Sequence, residues 1–136
     1  FDKTQMIGLD TNVLIRYLVQ DDPVQSPKAT AILEKHLSEE TPGLVSVVVA
    51  VETFWVLESY YDFAGFDIAA ALERLLAANY IVFEDEQEVF GAMAVVQAGL
   101  GDFADALIAA LASRAGCSQT VTFDRKALRI PGFALA

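Results

Sequence analysis

Residues 6–14 read Met6-Ile7-Gly8-Leu9-Asp10-Thr11-Asn12-Val13-Leu14. The apolar run is too short for a helix and stops at an aspartate, so Met6 to Leu9 is expected to be a buried strand. A helical pattern follows at once, from Thr11 to Val19. The alternation of strand and helix then repeats along the chain. Ser26-Pro27 has the form of an N-cap with proline at the first helical position, opening a helix to about Leu37. Leu44-Val45 is a short strand, and Ser46 caps a helix that runs through Glu52 and Trp55 to Tyr60. A helix capped by Asp67 covers Phe66 to Asn79, and Tyr80 to Phe83 is a strand. Helices over Glu86 to Ala98 and Asp102 to Ala115 precede a strand from Ser118 to Thr122, which ends at Phe123-Asp124. Strands alternating with helices predict an α/β fold, a parallel sheet with helices on both faces.

The chain has 136 residues, the size of one domain. Residues 6–136 are expected to form it, with Met6 as the native start and residues 1–5 as an added leader. At 54% hydrophobic residues, the chain is not intrinsically disordered. One cysteine, Cys117, allows neither an internal disulfide nor a four-cysteine zinc site. With no signal-like N-terminus and no apolar run of membrane-spanning length, the expected compartment is the cytoplasm. The formal net charge of −10 argues against a non-specific nucleic-acid coat or a polybasic membrane binder. It leaves open an enzyme that reaches phosphates through bound cations. The charge is also uneven: residues 1–105 hold five basic and eighteen acidic side chains, whereas residues 106–136 hold Arg114, Arg125, Lys126 and Arg129 against Asp124 alone.

Acidic residues occupy positions where sheet proteins place their sites, beyond the carboxyl ends of the strands. Asp10 follows the first strand and Asp124 the last; each could equally cap a helix. Glu52 shares a helical face with Val48, Val49, Trp55 and Val56. A carboxylate on such a stripe is seldom buried unless it is paired or binds metal. The structural alternative is a salt bridge to an arginine such as Arg16. Asp102 and Asp105 open an alanine-rich helix, where the macrodipole also favours acids. Converging carboxylates repel one another, and hard cations such as Mg²⁺ or Mn²⁺ relieve the repulsion. That combination suits phosphodiester hydrolysis.

In order, Ile7-Gly8-Leu9-Asp10-Thr11-Asn12-Val13-Leu14, Val51-Glu52-Thr53-Phe54-Trp55-Val56-Leu57, Phe103-Ala104-Asp105-Ala106-Leu107-Ile108-Ala109-Ala110 and Val121-Thr122-Phe123-Asp124 resemble the four motifs of a PIN-domain ribonuclease. The likeness is to a VapC-type toxin of a bacterial toxin–antitoxin pair, and it covers nearly the whole chain from Met6. The resemblance implies a three-layer α/β/α PIN-like fold with a central, mainly parallel sheet. It implies an endoribonuclease dependent on Mg²⁺ or Mn²⁺, with Asp10, Glu52 and Asp105 as metal ligands and Asp124 completing the site. Asp102 is an additional ligand or the helix cap. Thr11 and Thr122 orient carboxylates through their hydroxyls, and Asn12 contacts Asp10 or substrate. The implied partners are RNA, a VapB-type antitoxin and a second copy of the chain in a homodimer, with no membrane.

Three other readings compete. A haloacid-dehalogenase-type phosphotransferase needs a second aspartate where Asn12 stands, and a receiver domain needs an acidic pair after its first strand. A PIN fold that has lost activity would serve as a binding module, but the four acidic positions are filled. His36 lies among charged residues and is expected on the surface; Cys117 is expected to be an ordinary buried thiol. Of the aromatic residues around 55–66, Trp55 is expected in the core. Tyr60, Tyr61, Phe63 and Phe66 are candidates for an exposed apolar patch.

Overall fold

The computed structural model describes residues 5–78 and 80–136. Residues 1–4, which belong to the expected leader, and the expected last helical residue, Asn79, lie outside them. The chain divides into two compact units, one running through Glu84 and the other from Asp85 to Ala136.

The first unit holds β1 (Ile7–Gly8), α1 (Thr11–Val19), α2 (Gln25–Ala31), β2 (Gly43–Val45), α3 (Val47–Ser59), α4 (Gly65–Ala78) and β3 (Ile81–Phe83). Its three strands are parallel in the order β1-β2-β3, with Ile7 opposite Gly43 and Val45 opposite Phe83. Gly43 is needed at this crossing: a Cβ there would lie 2.8 Å from Leu9 Cδ1 and 2.9 Å from Leu37 Cδ1. Helix α1 packs against α2 and α3, burying Leu14 and Ile15. It ends at Gln20, whose left-handed backbone (φ 59°) stops the helix while its N–H still reaches the Arg16 carbonyl. The Gln20 amide then ties the end of α1 to the next helix, donating to Tyr17 O at 2.8 Å and Thr30 Oγ1 at 2.9 Å.

The second unit holds α5 (Glu86–Gln97), α6 (Phe103–Arg114), β4 (Thr120–Thr122) and β5 (Phe133–Leu135). Its two strands are also parallel, with Thr120 opposite Phe133 and Thr122 opposite Leu135. A 3₁₀ turn at Arg125–Arg129 connects them. Helix α5 packs on α6, and α6 on β4, around Val89, Met93, Phe103 and Leu107.

The class is therefore α/β with parallel strands, as the alternation predicts, and most helices fall where the periodicity places them. Several details differ. Ile7 is exposed rather than buried; Leu9, the last apolar residue of the run, is the one that enters the core. Ser26 does not cap α2. Asp22 does so one turn earlier, accepting from the N–H groups of Val24 (2.9 Å) and Gln25 (2.7 Å). Ser26 is buried and donates to the Arg16 carbonyl at 2.8 Å, and Pro27 is not the first helical residue: it follows Ser26, whose N–H already bonds the Asp22 carbonyl at 3.1 Å. From Ile32 to His36 the helix widens to π geometry. Asp67 lies inside the first turn of α4 rather than at its cap. Strand β5 is too short, after Pro131-Gly132, to show a period in the sequence.

The surface holds further corrections. Trp55 is 62% exposed instead of buried, and Cys117 is exposed. His36 is exposed, as expected. Among the described residues no helix is long and apolar enough to cross a membrane.

Candidate functional site

In the first unit, β1 delivers the chain to Asp10 in an extended conformation (φ −82°, ψ 160°). Asp10 Oδ1 accepts the Thr11 N–H at 2.7 Å and so caps α1. The cap occupies one oxygen of the carboxylate and sets its direction, so capping and ligation are compatible. The Thr11 hydroxyl does not orient this carboxylate. It is buried (the residue is 6% exposed) and finds no hydrogen-bond partner among the described residues; the Thr11 backbone does the positioning instead.

Glu52 comes from α3, whose start is fixed twice. Ser46 Oγ accepts from Val49 N at 3.2 Å, and Glu84 Oε1 accepts from Val47 N at 2.9 Å. These two acceptors satisfy two of the N–H groups that a helix start leaves unpaired. Thr53, Phe54 and Leu57 hold the inner face of α3 in the core, which turns Glu52 outward. Glu52 is exposed, so it is not the buried acid its apolar neighbours suggest: that stripe of α3, including Val48 and Trp55, faces solvent.

Asp10, Asn12 and Glu52 line a single cavity of about 510 Å³. Arg16, Asp21 and Tyr61 share its wall. Arg16 does not pair with Glu52. Its Nη1 donates to Asp21 Oδ1 at 3.2 Å and to the Tyr61 hydroxyl at 3.3 Å, and its Nε to Gln25 Oε1 at 2.8 Å. The Tyr61 hydroxyl in turn donates to Asp21 Oδ2 at 2.9 Å. That bond, with burial, raises the Tyr61 phenol above its ordinary range. The sequence reading misses this triad; the Asp21-Asp22-Pro23 turn just after a helix end was its only signal.

In the second unit, Asp102 is the N-cap of α6, with Oδ1 accepting from Asp105 N at 2.8 Å. Gly101 allows the close approach that precedes it: a Cβ there would lie 2.5 Å from Ile130 Cδ1. The start of α6 is thereby held against the turn that begins at Asp124. Asp124 caps that turn through Lys126 N (2.9 Å), and its own N–H donates to Thr122 Oγ1 at 3.0 Å. The Thr122 hydroxyl thus fixes the backbone of Asp124 rather than its carboxylate. Asp105 is half-buried in the first turn of α6. Burial raises its carboxyl above the ordinary carboxylate range, and the charges of Asp102 and Asp124 push it further the same way.

The structure thus brings together Asp10 and Glu52 in one unit, and Asp102, Asp105 and Asp124 in the other. Among the described residues, no three His, Cys, Asp or Glu side chains are grouped closely enough to hold a metal ion. The donor chemistry itself fits one. Every candidate ligand is a carboxylate, the hard oxygen donor that Mg²⁺ and Mn²⁺ favour, and the repulsion felt by Asp105 is what a cation would offset.

A larger cavity in the second unit, about 680 Å³, contains none of these acids. Within it Arg114 pairs with Asp85 and, at 2.9 Å, with Glu88, and Glu86 lines it as well. Arg114 is therefore engaged, and the basic character of the C-terminal segment rests on the exposed Arg125, Lys126 and Arg129.

The PIN domain family model matches residues 7–132. That span contains every carboxylate described above. Among curated proteins, none matches the chain significantly.

Proposed function

This chain belongs to the PIN-domain family, whose members are generally nucleases, and on that premise we propose that it is an endoribonuclease toxin of the VapC type, dependent on Mg²⁺ or Mn²⁺. The observation that carries the reading is that Asp10 and Glu52, far apart in sequence, line one cavity. The acids of the second unit add support, because a hard cation would relieve the repulsion among Asp102, Asp105 and Asp124.

In this reading Asp10, Glu52, Asp105 and Asp124 would hold the cation, with Asp102 beside them. When bound, it supplies activation of water and neutralisation of charge at the scissile phosphate. The chain's own contribution is to orient. Three of the aspartates each commit one oxygen to a helix or turn start, which fixes the direction of the other. Asn12, on the wall between α1 and the cavity, offers an amide to Asp10 or to substrate. The exposed Arg125, Lys126 and Arg129 counter the phosphate backbone.

A VapB-type antitoxin, a homodimer and a cytoplasmic setting belong to the same proposal. The acidic cavity favours a partner that offers basic groups. Val48, Trp55 and Phe66 are large apolar side chains left exposed in a single copy, as a self-association surface requires.

Calorimetric titration of Mn²⁺ into the parent protein and into Asp10→Asn, paired with sequencing of RNA ends after brief induction in cells, tests the reading. Metal binding by the parent, weakened in the variant, together with new 5′ ends in cellular RNA, is expected. A parent protein that binds no divalent metal would sink it. Metal binding without any cleavage of RNA would favour a binding module.

A further inference from the structure

The cavity that holds Asp10 and Glu52 has a second wall with no role in holding a cation. Tyr60 closes α3 and is 80% exposed, although its neighbour Tyr61 is fixed. The two rings meet edge to face, with centroids 5.2 Å apart and planes at 66°. Tyr61 is held in turn by its hydroxyl bonds to Asp21 and Arg16 and by its contact with Phe63. Tyr60 is therefore braced by a fixed neighbour while most of its ring stays open to solvent. The cavity's volume lies within the roughly 300–1,000 Å³ typical of ligand sites. Ile15 and Val56 add apolar lining to the same space.

We propose that Tyr60 stacks one unpaired base of the RNA substrate, so that the cavity receives a nucleotide next to the phosphate being cut. The proposal rests on the nuclease reading and names the form of substrate, a single-stranded segment whose base is splayed from its neighbours. An exposed ring with an open face is what sequence-tolerant recognition of single strands uses, since every base offers a π-face. Asp10 and Glu52 line the same cavity, so the stacked base belongs near the reacting phosphate rather than at a remote anchor.

The test uses the full chain, with Tyr60→Ala and Tyr60→Trp variants whose melting is checked against the parent. Short single-stranded RNAs carry 2-aminopurine at each position in turn, and binding is followed by fluorescence with Ca²⁺ in place of Mn²⁺. The same RNAs, intact or abasic at one position, are cut in Mn²⁺. Quenching at a single position, lost in Tyr60→Ala and kept in Tyr60→Trp, is expected. For cleavage, Tyr60→Ala should raise KM about 5- to 150-fold, the range of one lost base–aromatic stack, with kcat largely retained. RNA abasic at the quenched position should erase the difference between parent and variant. An unchanged KM, or an equal rise for intact and abasic RNA, overturns the stacking while leaving the nuclease reading intact. A parent that cuts no RNA overturns both. A Tyr60→Ala variant that handles RNA normally but loses an arginine-rich peptide overturns the proposal in favour of a basic protein partner.

Discussion

Asp10 is assigned two tasks, and two substitutions separate them. Its Oδ1 accepts from Thr11 N at 2.7 Å, which starts α1. Asparagine at an N-cap keeps an oxygen in the same place and serves about as well as aspartate, whereas alanine costs about 1 kcal/mol, with a range of roughly 0.5–2. A chain of 136 residues lies between the sizes for which 1 kcal/mol moves Tm by about 4–8 °C and by about 2–4 °C. Asp10→Ala should therefore lower Tm by about 3–5 °C in metal-free buffer, and Asp10→Asn by less than about 2 °C. Both should lose cleavage, because asparagine keeps the cap and gives up the anionic oxygen. Differential scanning fluorimetry in EDTA and cleavage of a short RNA in Mn²⁺ measure the two effects independently. Equal losses of Tm in the two variants would show that the cap oxygen is not what stabilises α1. Full activity in Asp10→Asn would falsify the assignment of the carboxylate to the reaction, whatever the melting showed.

Glu52→Gln should leave stability within about 0.5 kcal/mol, since Glu52 is exposed and Arg16 pairs elsewhere; cleavage should fall by more than the roughly 10–100-fold cost of losing an outer-sphere partner. A large drop in Tm would restore the salt-bridge explanation. The Asp105 carboxyl is raised in the fold, so the folded chain binds that proton more tightly than the unfolded one. Its contribution is fully present below the ordinary value of 3.8 and is lost as pH rises through the raised native value. Asp105→Asn should accordingly gain stability over the parent at neutral pH without metal, and urea denaturation across pH 3–8 should show no gain at the acid end. Gly43→Ala should cost about 1–3 kcal/mol, because its methyl would press on Leu9 and Leu37; a neutral result in urea would mean that these side chains give way freely.

Much of this protein is legible in its sequence. The short apolar run closed by Asp10, the Ser46 cap and the Asp102 cap are local signals, and local hydrogen bonds decide them: α1 spans Thr11–Val19, α3 begins at Val47 and α6 at Phe103, as expected. The order of the motif acids points to the family by itself. The start of α2 was less legible, because Asp22 and Ser26 are both competent caps and only the burial of Ser26 against the Arg16 carbonyl selects Asp22.

The tertiary structure decides what each acid touches. The sequence places Glu52 on an apolar stripe, and a stripe has no label for inside or outside; packing of Thr53, Phe54 and Leu57 turns the other face of α3 inward. For the same reason Trp55 and Tyr60 stand exposed. The network of Arg16, Asp21 and Tyr61 joins residues from a helix, a turn and the end of another helix, and no spacing rule links them. The push of Asp124 on Asp105 likewise joins a turn to a helix start from separate stretches of the chain, whereas that of Asp102 is local. Periodicity and capping act between near neighbours and are written along the chain. Exposure and electrostatic coupling depend on distances in space, which only the folded packing sets.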